Sequence, residues 1–198
     1  MAHAGQLITN PVSGETITFR KTAADTDGAL LEIDLELTPD GQVPGAHVHP
    51  EQEERFTVLE GEMKFRLGMK SIVAGPGETV VVPKGRVHKF QNNGDTVAKA
   101  RVQVVPALKM EELFETTVEL AKEGKVWSSG MPKPTHLALF VREYAREVRA
   151  PFPPAPIVRA LMAPVAALGR KRGHAERYGQ PAAVPAAPAP AALPAPAH

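Results

Sequence analysis

The 198-residue chain has no cysteine, and that gap removes disulfides, thiolate nucleophiles, iron–sulfur clusters and cysteine-type zinc sites. Neither sign of charge dominates. A formal net charge of +1 leaves no overall electrostatic footprint for nucleic acid. The only basic cluster, Arg170, Lys171 and Arg172, reads as a helix C-terminus whose cations sit beside the negative end of the dipole. No helix-turn-helix is visible, so no nucleic-acid partner is expected. Long apolar runs are also missing. The longest, over 157–168, contains Arg159 and Pro164 and falls short of the ~20 residues needed to span a bilayer. No basic stretch followed by an apolar one opens the sequence, so the expected location is cytoplasmic. A glycine-rich phosphate loop, a G-x-S-x-G elbow and internal repeats are absent, and no organic cofactor is expected.

What is present suffices for a core: 43% of the residues are hydrophobic, enough for one domain with extensions. Up to about residue 106 the pattern has period two. Leu31, Ile33, Leu35 and Leu37 alternate with Glu32, Asp34 and Glu36, and Met63, Phe65 and Leu67 alternate with Lys64 and Arg66. Residues 71–74 and 79–82 are short apolar strands, and 96–105 alternates again. Eight or nine short strands separated by turn signals predict an all-β sandwich or barrel.

Two stretches of this β region carry chemistry. In the first, His47 and His49 are two apart, which on a strand puts both imidazoles on one face. Pro50 then ends the strand, and the chain re-enters one near Glu53 and Glu54. Of the acids Glu51, Glu53 and Glu54, Glu54 is chosen. It shares a face with Phe56 and Val58, whereas Glu53 shares one with Arg55. In the second stretch, a Pro83-x-Gly85 turn delivers His88, with Phe90 on the same face. Imidazoles and a carboxylate together suit Zn, Mn, Fe, Ni or Cu. The reading is a centre for one divalent transition metal on His47, His49, Glu54 and His88. In phase with these ligands lie Phe56, Phe90, Met63 and Phe65, the candidate substrate-lining residues. The other histidines, His3, His136, His174 and His198, fall outside the pattern and are expected at the surface, His136 near a helix start.

These two stretches resemble the motifs of the cupin superfamily. Residues 41–61 satisfy G-x5-H-x-H-x3,4-E-x6-G, and Gly77, Pro83, Gly85, His88 and Asn92 satisfy G-x5-P-x-G-x2-H-x3-N. The resemblance covers roughly residues 15–106. It implies a double-stranded β-helix, the jelly-roll barrel, holding a divalent metal, and proteins that often pair as homodimers. It is specific for fold and metal and not for reaction, since cupins include dioxygenases, isomerases, epimerases, decarboxylases, storage proteins and sensing modules.

Beyond Pro106 the period changes to 3.6. Helices are expected over 109–123, stopped by Gly124, over 135–149, and over 157–168 with a kink at Pro164. The division expected is a barrel over 1–106, a helical extension over 107–172 and a Pro/Ala-rich flexible tail over 173–198. The helices are read first as packing outside the barrel, second as a dimer contact, and only last as lying on a membrane surface. Four protein ligands on an octahedral ion leave up to two open positions, which Fe(II) or Mn, the favoured ions, can use for substrate and O₂. The function this favours is a dioxygenase- or oxidase-type oxidoreductase acting on a small, largely apolar organic substrate. A non-catalytic small-molecule-binding or sensing protein is the alternative, and a metal-dependent isomerase or epimerase, with Zn for example, is the third.

Overall fold

The structure is a computed structural model and describes residues 2–178; all but the start of the tail read over 173–198, His198 included, lies outside them. Nine strands precede three helices: β1 (Leu7–Asn10), β2 (Glu15–Lys21), β3 (Leu31–Leu37), β4 (Glu53–Glu60), β5 (Met63–Leu67), β6 (Lys70–Ala74), β7 (Thr79–Val82), β8 (His88–Asn92) and β9 (Ala98–Val105), then α1 (Met110–Lys122), α2 (Pro134–Glu143) and α3 (Ala155–Lys171). One sheet has the order β1-β2-β3-β9-β4-β7 and the other β6-β5-β8. All pairings are antiparallel. This is the expected jelly-roll barrel with a helical extension.

Alternation becomes a core because the registers align the apolar faces. Leu31, Ile33, Leu35 and Leu37 of β3 stand opposite Val104, Val102, Ala100 and Ala98 of β9. On the other side of β9, Glu54, Phe56 and Val58 of β4 meet Val104, Val102 and Ala100. The sheets are joined by aromatic contact: Phe56 lies 5.2 Å from Phe65 and 4.9 Å from Phe90, ring centre to ring centre. Glu54 thus continues a buried row of hydrophobic residues. Asn92, from the second motif, is structural. Its buried amide donates to Leu37 O, Thr38 O and Thr96 O, stitching β8 to the end of β3.

The structure departs from the sequence pattern in four places, the first two of them at the site. His47 and His49 do not lie in a regular strand. The segment is extended, and isolated bridges join His47 to His88 and Val48 to Arg149. The second helix ends at Glu143, six residues before the apolar periodicity does. Tyr144 is drawn into the core, where its hydroxyl and that of Thr116 are 2.7 Å apart, and Arg149 pairs with Val48 instead of continuing the helix. Helix α3 runs unbroken through Pro164, although the proline forgoes one helical hydrogen bond. Residues 174–177, read as the start of the tail, form a 3-10 turn, and Tyr178 behind it is buried.

Candidate metal centre

His47 and His88 are neighbours through their own backbones, each N–H donating to the other's carbonyl at 2.9 Å. His49 follows on the same face as His47, and Gly85, in the turn before β8, donates to His49 O at 2.8 Å. Ring centres lie 4.9 Å apart for His47–His49, 4.3 Å for His47–His88 and 5.1 Å for His49–His88. One ligating atom from each of the three rings falls within 4.8 Å of the others, a cluster that could hold a metal ion. Glu54 reaches in from β4. Its Oε2 is 3.3 Å from His49 Nε2 and 3.0 Å from His88 Nε2.

The tautomers follow from the surroundings. Nδ1 of His47 faces Gly45 O at 3.0 Å, Nδ1 of His49 faces Glu147 O at 2.5 Å, and Nδ1 of His88 faces Arg86 O at 3.1 Å. A carbonyl only accepts, so each Nδ1 carries the proton, and each ring, when neutral, turns a bare Nε2 lone pair inward. Nε2 of His49, Nε2 of His88 and Oε2 of Glu54 are buried with no hydrogen-bond partner among the described residues. Acceptors forced together without a donor are costly unless a cation lies between them. The donor set therefore fits a divalent transition metal, and the three carbonyls are the outer partners that orient metal-bound imidazoles.

Electrostatics separate His47 from the pair that faces Glu54, where without a metal a proton on His49 is favoured. Burial, with the neighbouring His88 and His49, pushes the His47 imidazole down to about 3, so it is neutral and available as a ligand. For Glu54, burial works to raise the carboxyl, but His49 and His88 outweigh it and hold it well below the usual carboxylate range. At His49 burial opposes the charge, and Glu54 and the Glu147 carbonyl overcome that and raise the imidazole. The competing acids are engaged elsewhere: Glu51 with Arg146 at 2.7 Å and Glu53 with Arg55 at 3.1 Å.

The cupin-domain family matches residues 34–105, a span that contains all four side chains. Residues 34–105 are a cupin domain. Among curated proteins, this cupin is 28% identical over 94 residues to the tetracenomycin polyketide synthase protein TcmJ of Streptomyces glaucescens, covering 48% of this chain and 61% of that one. It thus spans less than two thirds of that relative. Among solved structures, a predicted oxalate decarboxylase from Thermotoga maritima is similar at 22% identity and a TM-score of 0.45, over 52% of this chain and 92% of that one. A sugar phosphate isomerase of the cupin superfamily from Silicibacter pomeroyi is similar at 23% identity and a TM-score of 0.41, over 48% and 60%.

In this cupin, His47, His49 and Glu54 line a cavity of about 240 Å³. Phe56 and Phe90 line it with them; Met63 and Phe65 do not, being fully buried on β5 behind the two phenyl rings. The sequence pattern missed the other half of the wall. The cavity is closed by Leu113 of α1, by Phe140 of α2 and by Val148 and Arg149 of the segment after α2. Helical periodicity marked these faces as apolar but not what they cover. Over the mouth, the 126–132 turn folds onto the histidine segment at Gly130 (φ +81°), where a Cβ would lie 2.9 Å from Pro44 Cγ. Glu15 also reaches the cavity. Its signal was its phase with Ile17 and Phe19 on β2. Outside the site, His136 lies near the start of α2, as expected, and is buried. It stacks on His174 at 4.4 Å, and its Nδ1 lies 3.2 Å from the Tyr178 hydroxyl.

Proposed function

We propose that this cupin is a metal-dependent enzyme of the dioxygenase or oxidase kind, holding one divalent transition metal on His47, His49, His88 and Glu54 and acting on a small, largely apolar organic molecule. The observation that carries this reading is the convergence of donor-less imidazole and carboxylate atoms at the wall of a mainly apolar cavity. An Fe(II) or Mn(II) ion bound there supplies Lewis acidity and access to O₂. The chain's own residues supply the rest. The Gly45, Glu147 and Arg86 carbonyls hold the three rings in their ligating tautomer. Glu54 brings one negative charge, and Phe56 and Phe90 exclude water and lower the local dielectric, which strengthens every charge interaction beside them. The name of the Streptomyces relative ties that protein to polyketide synthesis, and a carbon-rich molecule suits such walls.

The test combines metal analysis of the purified protein with oxygen-uptake screening of apolar ketones and phenols. Stoichiometric metal and substrate-dependent uptake, both lost in His88→Ala, are expected. A protein that binds Fe(II) and Mn(II) no more tightly than His88→Ala ends the proposal. The scarcity of polar side chains on the wall also favours a second reading, a small-molecule-binding or sensing cupin, which would show a ligand-dependent rise in Tm without product. Isomerase or epimerase chemistry would need a proton carrier, and Glu15 is the one wall carboxyl besides Glu54 among the described residues. Conversion under nitrogen with a redox-inert ion would select that reading.

A further inference from the structure

Helix α3 packs through one face and, among the described residues, leaves the other uncovered. Ala166 and Gly169 are buried, Gly169 directly against Leu139 and Thr135 of α2. On the opposite side Ile157, Leu161 and Leu168 are 50%, 66% and 43% exposed. With Pro164 their spacing is i, i+4, i+7 and i+11, so they form one stripe along the helix. Phe152, just before the helix, is 80% exposed.

The charge around the stripe has one sign. From Val148 to Gly173 the sequence contains Arg149, Arg159, Arg170, Lys171 and Arg172 and no acid, in a chain whose net charge is only +1. Among the described residues none of Arg159, Arg170, Lys171 and Arg172 forms an ion pair. Lys171 and Arg172 border the stripe at its C-terminal end.

The geometry points to α3 and Phe152 as a docking surface for an anionic lipid bilayer, with the apolar stripe among the acyl chains and the cations at the headgroups. Among the described residues no helix is long and apolar enough to cross a membrane, so the helix would lie in the interface. A second copy of the chain fits less well. A stable dimer face takes roughly 20–30 residues a side, whereas this stripe offers four large side chains, and a two-fold contact would bring unpaired cations toward one another. The sequence pattern ranked a membrane role last because it could not show which face α3 buries. The packed face is the one with alanine and glycine, and that leaves the leucines outside. The inference is independent of the metal centre.

Co-sedimentation of the full-length protein with vesicles tests it. One set is phosphatidylcholine alone and the other contains on the order of 30% phosphatidylserine. Binding to the anionic vesicles should be roughly tenfold stronger and should weaken with salt. Leu161→Asp and the pair Lys171→Glu, Arg172→Glu should each reduce binding about fivefold or more. Their far-UV spectra should match the unmodified protein, because these side chains are exposed, and Tm should fall only slightly in the double charge reversal at the end of the helix. No pelleting, or pelleting indifferent to both changes, overturns the proposal. So does light scattering that finds a dimer abolished by Leu161→Asp with no vesicle binding.

Discussion

Glu54 Oε2 lies 3.3 Å from His49 Nε2 and 3.0 Å from His88 Nε2, two nitrogens that offer it only lone pairs when their rings are neutral. Glu54→Gln should therefore separate folding from metal binding. An amide can donate to one bare Nε2, so at a pH where the imidazoles are neutral the metal-free protein should melt at an unchanged or higher temperature. Affinity for Mn(II) or Zn(II) by titration calorimetry should fall about 10- to 100-fold, the range seen even for lesser disturbances of metal sites. Unchanged affinity would remove Glu54 from the ligand set. That Glu54 rather than Glu51 or Glu53 faces the histidines was legible because the face of a strand is set by parity, and both rivals found surface arginines. Glu15 is the opposite case: its parity was readable, but its neighbours were not. Burial pushes its carboxyl up, and the Ser13 hydroxyl, 2.5 Å away, offsets this only in part. The folded state thus holds the proton more tightly than the unfolded one. The group's favourable contribution is full below its ordinary value of 4.5 and is lost as pH rises through the raised value. Glu15→Gln should raise Tm at about pH 8 and change it little near pH 4. An equal change at both values would show that the carboxyl's charge is not the cause.

At the scale of elements, periodicity located the strands and helices, and tertiary contacts decided where they stop. Strand β1 is four residues long and carries no alternation strong enough to read; it exists because β2 offers it an edge. Helix α2 ends early because the Tyr144 hydroxyl and the Val48 backbone compete successfully for its last turns. Patterning also hides how closely two helices approach. A Cβ on Gly169 would lie 3.1 Å from Leu139 Cδ1, which can rotate, and 3.1 Å from Thr135 O, which is backbone and cannot. Gly169→Val adds two further methyl groups to that contact and should force α3 away from α2, costing about 1–3 kcal/mol. The loss should appear as a lower Tm. Metal affinity should stay unchanged, since no residue of α3 lines the cavity. A fall in metal affinity would mean that α3 supports the centre in some further way.

For the whole molecule, the barrel does not finish its own site. His49 takes its orienting carbonyl from Glu147, and the neighbouring Val48 exchanges two backbone hydrogen bonds with Arg149, each 2.9 Å. At the other end, Gln52 is fully buried beside β4 and donates to Pro106 O and Ala107 O at 3.0 Å, while Glu147 Oε1 accepts from the Lys109 backbone at 3.1 Å. Leu113 and Phe140 then cover the cavity that the barrel leaves open. A barrel that opened alone would expose these faces and strand the buried carbonyls, so barrel and helices should unfold as one unit. Trp127, the single tryptophan, lies on the 126–132 turn between α1 and α2 and reports the helical side. The far-UV strand signal reports the barrel. The two should share one thermal midpoint, and metal at about 100 times its Kd should raise both together by the equivalent of ~2.7 kcal/mol. A Trp127 transition that precedes the strand signal, or that metal leaves in place, would show that the helices are a separate layer and that the centre stands without them.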